Sequence, residues 1–461
     1  NISADRIPIE DAEEQPAPDP EAPEMDMEES LTPDEPTEQD APDNSYSYGS
    51  GRKKKQTWWT DEYKQARKYL YGTKDTPPDF KAALALMTAE ANKSNGFAMH
   101  DLGKMYLSGL GCEKDEEQAQ EWFAKTYHAF VAEESKAEKK DYLQYRIGKL
   151  FSFGYGVEQD YLKAAEWYEK AMAEDNPFAA YALGSLYRRG QGVEQDDAKA
   201  YSLYRMAAEH GEKPNAYAAY ELGRMCRDGI GTEIDKAASD AWYRQAYRDF
   251  LMIEQNMADD KLYYRLGQMN LTGTGTEKDL SKAKDYFENA AALDNADALY
   301  GLGKLYLNRD FSEANTQKAV NYFTAAAEKG HSYAQYALGK LLLTDKIDTI
   351  NTQSAYYALY WLEKAAQQDK ADAQCLLGKV LLRGEVTDHD TDRAAALLKK
   401  AIENGSAYAA YLLGKEYLDG TVLQQDIPKA LAYLERAAEK EKAAPANHFA
   451  LWSLGRVSIS C

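Results

Sequence analysis

Residues 177–210 read PFAAYALGSLYRRGQGVEQDDAKAYSLYRMAAEH, and this stretch decides the fold. Ala179, Leu183, Leu186 and Tyr187 recur at helical spacing. Gly190-Gln191-Gly192 then interrupts the pattern, because glycine accepts the positive φ that a tight turn needs. Ala200, Leu203, Tyr204 and Ala207-Ala208 form a second apolar face at the same period. The stretch is therefore a helix–turn–helix hairpin. Within its first helix, Leu183-Gly184 is a landmark, since a mid-helix glycine costs about 1 kcal/mol relative to alanine. The pair recurs at Leu102-Gly103, Ile147-Gly148, Leu222-Gly223, Leu266-Gly267, Leu302-Gly303, Leu338-Gly339, Leu377-Gly378, Leu413-Gly414 and Leu454-Gly455. Successive glycines lie 45, 36, 39, 44, 36, 36, 39, 36 and 41 residues apart. A period of this size predicts an all-α solenoid of about ten to eleven hairpins. The recurring glycine predicts a neighbouring helix that passes too close for a side chain.

The unit can be written A-x-Y-x-LG-x-x-Y, then G-x-G-V-x-x-D, then KA-x-x-WY-x-x-A. Residues 141–174 carry it as Tyr145, Ile147-Gly148, Gly154-Tyr155-Gly156-Val157, Asp160, Lys163-Ala164 and Trp167-Tyr168. This pattern resembles the Sel-1-like repeat family, a relative of the tetratricopeptide repeat with a slightly longer unit. The resemblance covers about 60 to 461 and is most specific in 96–290. Beyond 305 the Gly-x-Gly turn is lost, at Asn308-Arg309-Asp310 and Thr344-Asp345-Lys346. Residues 63–93 form one more degenerate unit, with Tyr69 and Gly72 in the places of Tyr106 and Gly109. The resemblance implies a right-handed solenoid that acts as an adaptor or scaffold rather than a catalyst.

The two longest spacings have matching sequences, WFAKTYHAFVAEESKAEKKDYLQYRIG and WYRQAYRDFLMIEQNMADDKLYYRLG. In both, the usual alanine five residues before the glycine becomes leucine, at Leu143 and Leu262. A higher-order duplication, in which every third early unit has an extended second helix, explains both.

Charge is unevenly placed. Residues 1–44 hold 16 acidic residues, one arginine and eight of the 14 prolines, a charge of −15 out of −21. Such a stretch cannot bury enough apolar surface to offset its ordering entropy, so 1–57, with the basic hinge Arg52–Lys55, is expected to be a disordered arm. Residues 58–461 are expected to form the array. No apolar run approaches the roughly 18 residues that span a bilayer, so no membrane role is expected. Cys112, Cys226, Cys375 and Cys461 fit no paired spacing, which predicts reduced thiols and a cytoplasmic protein.

Counting from the landmark glycine at 100° per residue, positions −5, −1, +2 and +3 make one stripe, the expected core. Positions −3 and +1 fall near the opposite face as i, i+4 neighbours. Position −3 is tyrosine in seven units: Tyr145, Tyr181, Tyr220, Tyr264, Tyr300, Tyr336 and Tyr411. Position +1 is basic in eight of ten: Lys104, Lys149, Arg224, Lys304, Lys340, Lys379, Lys415 and Arg456. Stacking would align a tyrosine ladder beside a basic ladder on the first helices, which line the concave surface in tetratricopeptide-type stacks. The tyrosines also suit packing between helices, and the lysines a solvated face. As a binding surface the ladders select a protein or peptide, with acidic side chains the complementary chemistry. The nearest acidic stretch is the chain's own arm.

Other patterns carry no chemistry. The Gly-x-Gly turns lack the Gly-Lys-Ser/Thr and the preceding strand of a phosphate loop. The six histidines show no metal-ligand spacing, no catalytic triad can be assembled, and no cofactor is expected. Residues 51–59, GRKKKQTWW, offer either a weak nucleic-acid contact or a boundary at which Trp58 and Trp59 cap the first repeat. The chain starts at Asn1 without an initiator methionine. A second functional expectation is therefore an accessory C-terminal region of a larger enzyme, such as a DNA relaxase of a bacterial mobile element.

Overall fold

The structure, a computed structural model, describes residues 58–443 apart from 73–75, 138–139, 211–214, 256–257, 309, 344–351 and 385–388. The acidic arm, the basic hinge and the Leu454-Gly455 unit lie outside the described residues. The chain divides into two compact units at Leu293/Asp294. In the first, α1 (Asp61–Tyr71) pairs with α2 (Phe80–Asn92), α3 (Gly96–Ser108) with α4 (Glu116–Glu134), and α5 (Asp141–Phe153) with α6 (Tyr161–Ala173). There follow α7 (Pro177–Arg189) with α8 (Asp197–Glu209), α9 (Ala216–Asp228) with α10 (Lys236–Glu254), and α11 (Asp260–Thr272) with α12 (Leu280–Ala292). In the second, the pairs are α13 (Ala296–Leu307) with α14 (Thr316–Glu328), α15 (Ser332–Leu343) with α16 (Thr352–Gln367), α17 (Ala371–Arg383) with α18 (Thr391–Glu403), and α19 (Ala407–Asp419) with α20 (Ile427–Ala443). The described residues contain helices and no strand ladder. The protein is an all-α solenoid of helical hairpins.

The landmark glycine is a contact. A Cβ at Gly303 would stand 2.4 Å from two ring carbons of Phe323 on the second helix of the same hairpin. The same position meets Phe123, Tyr168, Tyr204, Tyr243 and Phe287 in five other hairpins, and Leu362, Leu398 and Leu434 in the last three. Each of these nine hairpins thus closes by seating a large side chain of its second helix on bare backbone of its first. The expected core stripe forms around that contact: Ala298, Leu302 and Leu305 are buried, as are their counterparts Ala179, Leu183 and Leu186.

The aspartate that closes the turn motif starts α4, α6, α8, α10 and α12. The Asp160 side chain accepts from Lys163 N–H (3.0 Å), while its own N–H donates to Phe151 O at 2.9 Å. Asp115, Asp196, Asp235 and Asp279 do the same, satisfying donors that a helix start leaves orphaned. Where the glycines are lost, Asn315 caps α14 and its N–H still reaches Tyr306 O (2.9 Å), so the hairpin closes without them.

The second glycine of each turn joins neighbouring hairpins. Gly156 has φ +66°, and a Cβ there would lie 2.1 Å from Ala124 N on α4, the second helix of the preceding hairpin. After ordinary second helices the corresponding glycine meets the helix's first residue, Tyr161 for Gly192 and Asp197 for Gly231. α4 and α10 are 19 residues long, against 13 for α6, α8 and α12. After them the contact falls at Ala124 and Tyr243, deep within the helix. The extended helices inferred from the duplication are present, and each carries the next hairpin about two turns further along. The α10–α11 connection also returns to α1, with Ala258 N–H donating to Tyr71 O at 3.2 Å.

Candidate first-helix interaction face

In the second unit α15 touches α17 and α17 touches α19, so these three first helices form a row. The position −3 tyrosines lie along the first helices, and in five of the seven the ring leans on the aromatic side chain that fills the landmark glycine. Tyr145 meets Tyr168 at 5.9 Å, Tyr220 meets Tyr243 at 5.2 Å, and Tyr300 meets Phe323 at 5.7 Å between centroids. Tyr181 and Tyr264 make the same contact with Tyr204 and Phe287. Tyr145 and Tyr264 are buried, whereas Tyr220, Tyr300, Tyr336 and Tyr411 keep an edge in solvent. The tyrosines pack and are presented at once.

The position +1 lysines sit above them. Lys149 lies 5.7 Å from the Tyr145 ring, Lys304 5.8 Å from Tyr300 and Lys340 5.7 Å from Tyr336, each one turn along the same helix. A cation over an aromatic face contributes about 0.5–1 kcal/mol at exposed sites. Burial pulls the Lys304 ammonium below its ordinary pKa and pushes the Tyr300 phenol up to about 12. Lys379 has Cys375 in place of the tyrosine and instead donates to Tyr408 Oη of the next hairpin (3.1 Å). Lys415 is exposed and Lys104 half-buried. Arg224 is turned to Glu221, donating through Nη2 and Nε at 2.6 and 3.0 Å. In the second unit the strip is extended by Tyr333, beneath Lys370 at 3.6 Å, and by His331, stacked 4.8 Å from Tyr300.

Position −2 was not singled out from the sequence, yet it carries the strongest electrostatics of the first unit. It holds Asp101 and Arg146 in one duplicated block, Glu221 and Arg265 in the other, and Ala182 between them. Asp101 is buried and accepts from Tyr63 Oη (2.8 Å). Burial alone would raise its pKa, but the His100 contact and the Arg67 and Arg146 charges hold it at about 2. Burial, with Arg146 nearby, drives His100 well below the ordinary histidine range, so the ring is neutral and the arginines keep Asp101 ionised. Arg146 donates to Tyr142 Oη (2.6 Å), and Arg265 lies 4.3 Å from the Tyr220 ring. The same acid–base pair at the same offset, 120 and 119 residues apart, was the signal available in the sequence.

Trp58 belongs to the core. It is buried, packs on Phe97 at 5.2 Å, and its carbonyl accepts from Asn95 Nδ2 (2.6 Å). It caps the first hairpins and has no face left for a base. Among the described residues no three histidine, cysteine or carboxylate side chains converge as a metal set, and no helix is long and apolar enough to cross a membrane.

No curated protein sequence matches the chain. Among solved structures it is similar to c5321, described as a protective antigen of uropathogenic Escherichia coli strains displaying an SLR fold. Identity is 27% over 87% of this chain and 80% of that one, with a TM-score of 0.52. It is also similar to a Sel1 repeat protein from Oxalobacter formigenes, at 24% identity over 72% of this chain and 90% of that one, with a TM-score of 0.49. The Sel1 repeat model matches ten segments, 63–89, 96–128, 142–176, 177–212, 216–249, 261–295, 296–331, 332–370, 371–406 and 407–441. One match per hairpin, from the first to the last described, means that the chain belongs to the Sel1 repeat family.

Proposed function

We propose that this protein is a non-catalytic interaction scaffold that holds an extended acidic segment of a partner protein along its first-helix face. Sel1 repeat arrays are generally protein-interaction scaffolds; the choice of ligand is our reading. The observation that carries it is the recurrence of lysine over tyrosine at one offset, in Tyr300/Lys304 and Tyr336/Lys340, continued by Lys379 on Tyr408. Aromatic edges supply contact area at low entropic cost, and ammonium groups one repeat apart meet carboxylates on an extended strand. In the first unit the Asp101/Arg146 and Glu221/Arg265 pairs give the equivalent face a mixed charge, which favours the second unit for an acidic ligand. Cys112, Cys226 and Cys375 form no disulfide, which fits a reducing compartment such as the cytoplasm. Residues 1–57 belong in this scheme as a separate arm beside the array.

The test uses the full chain and a fluorescein-labelled oligoglutamate of about 20 residues. Replacing Lys304, Lys340 and Lys379 by glutamate should weaken binding at least tenfold in about 50 mM salt, with the difference shrinking near 0.5 M as screening shortens to a few ångströms. Unchanged affinity in the triple variant, with helicity intact, overturns the assignment.

A further inference from the structure

Helix α16 departs from its neighbours on its solvent side. Counting back from the residue that fills the landmark glycine, the positions at −6, −5 and −2 are Gln317, Lys318 and Asn321 in α14, and Asp392, Arg393 and Ala396 in α18. In α16 they are Tyr356, Tyr357 and Tyr360, which are 61%, 42% and 50% exposed. Position −5 shows what has been exchanged. In α6 and α14 it is a lysine lying over a first-helix ring of its own hairpin, Lys163 over Phe151 at 5.5 Å and Lys318 over Tyr306 at 4.9 Å. In the α15–α16 hairpin the first-helix residue is Leu342 and the lysine is replaced by Tyr357. The aromatic has moved to the second helix and into solvent. Single exposed aromatics need no explanation, but three adjoining on one helix mark a contact surface.

The rings are ordered. Tyr357 and Tyr360 lie parallel within 7°, centroids 6.3 Å apart, and both stand edge-on to the buried Trp361 at 5.8 and 4.9 Å. The Trp361 indole N–H is buried and has no acceptor among the described residues. A buried donor left in that state is unfavourable, so a carbonyl brought to it would be held. Lys364, exposed, lies 5.7 Å from the Tyr360 ring and extends the ridge by one more turn.

Parallel aromatic edges, an indole donor and an exposed cation along one line match a polyproline II strand, whose prolines are preordered and whose carbonyls are all unbonded. The spacing sets the motif. Tyr356 to Lys364 is eight residues of helix, about 12 Å, and four steps of polyproline II also cover about 12 Å. Prolines three residues apart share one side of such a strand, and the next residue then falls at Lys364, where charge complementarity selects aspartate or glutamate. We infer that the α16 ridge binds a segment of a partner protein with the pattern Pro-x-x-Pro-acid. The area agrees with a peptide rather than a second copy of the chain. Three half-exposed tyrosines offer about 300 Å², against the roughly 800 Å² per partner of a stable protein–protein interface. This site lies on a second helix and does not rest on the first-helix assignment.

The experiment uses the full chain and a fluorescein-labelled synthetic peptide carrying two copies of Pro-Ala-Pro-Pro-Glu, read by anisotropy. It should bind at least tenfold more tightly than the same peptide with glycine for every proline. Tyr357→Ala with Tyr360→Ala should weaken it at least tenfold; both rings are exposed, so truncating them leaves the core untouched, and unchanged helicity checks this. Lys364→Ala should weaken it about threefold, whereas glutamate at Lys304, Lys340 and Lys379 should leave it unaltered. In a second arm, a photoreactive benzoylphenylalanine in place of Tyr356 should cross-link to the proline peptide. Equal binding of the two peptides, or unchanged binding in the folded tyrosine variant, overturns the proposal. So does loss of binding in the Lys304, Lys340 and Lys379 variant, which would move the peptide to the first-helix face. Self-association of the chain that the tyrosine variant abolishes overturns it too, with a second copy as the occupant. Failure of oligoglutamate to bind the first-helix face would leave it standing.

Discussion

Replacing Gly303 by alanine should destabilise the α13–α14 hairpin, and removing Phe323 should reverse the sign. The added methyl would lie 2.4 Å from Phe323 Cδ1 and Cε1 and 2.9 Å from Cζ, so the ring must retreat by about 1 Å to reach ordinary contact. Phe323 is 1% exposed and already packed beneath Tyr300. Overpacking costs about 1–3 kcal/mol, and two contacts at 2.4 Å place this one in the upper part of that range, about 2–3 kcal/mol. Against it stands the helix preference of alanine over glycine, about 1 kcal/mol. The net loss should be about 1–2 kcal/mol. In a Phe323→Ala background, itself destabilised by about 3–5 kcal/mol, the clash is gone and only the propensity gain remains. There Gly303→Ala should stabilise by about 1 kcal/mol, an interaction energy of roughly 2–3 kcal/mol in a double-mutant cycle. Because repeat arrays need not unfold in one step, the readout should be hydrogen-exchange protection of α13 and α14 alongside urea unfolding. If Gly303→Ala is equally harmful with and without the Phe323 ring, close approach is not what requires the glycine.

Three further outcomes can be checked. Gly156→Ala should cost at least about 2 kcal/mol more than Gly154→Ala, although both have positive φ, because the nearest atom to the new methyl is α4 backbone at 2.1 Å in one case and a side-chain carbon at 3.3 Å in the other; equal melting temperatures would refute the docking role. Asp259 is buried, and burial, with Asp260 adjacent, pushes its carboxyl up to about 7. The folded state therefore binds more protons than the unfolded chain between about pH 4 and 7, and this group's contribution falls as pH rises through that window, by up to about 1.4 kcal/mol per pH unit. Asp259→Asn should flatten that slope, and an unchanged pH profile of unfolding in the variant would refute it. Asp101→Asn should destabilise the first unit by about 3–5 kcal/mol, since it removes a buried carboxylate that the Arg67 and Arg146 charges favour, and a change below 1 kcal/mol in chemical denaturation would show that the cluster is better hydrated than its burial indicates.

The hairpins were legible because their determinants are local. Leu183-Gly184, the turn at Gly190–Gly192 and the cap at Asp196 fall within one 34-residue unit, and each is fixed by a short-range steric or hydrogen-bonding need. The long α4 and α10 were legible because two insertions align with each other. The tyrosine ladder was only half legible. A helical wheel places position −3 opposite the core stripe, but the aromatic that fills Gly148 or Gly303 comes from the partner helix and gives Tyr145 and Tyr300 a surface to lean on. The Asp101/Arg146 pair was missed for a related reason. Its members are 45 residues apart, each reads as an ordinary surface charge in its own helix, and only stacking of α3 against α5 buries them. The tyrosine ridge of α16 stands out only against equivalent positions in α14 and α18, once the hairpins are superposed in register.

The two long second helices set the unit by which such a chain can grow or shrink. Because the hairpin after α4 or α10 docks two turns further in, an ordinary hairpin and a long one do not offer interchangeable joints. Excising a single hairpin across that step would ask a turn shaped for the middle of a helix to seat on the end of one. Excising about 120 residues between equivalent points of α4 and α10 would rejoin like with like, and copying the same stretch would lengthen the array by three hairpins without a new interface. The heritable module here is the triplet.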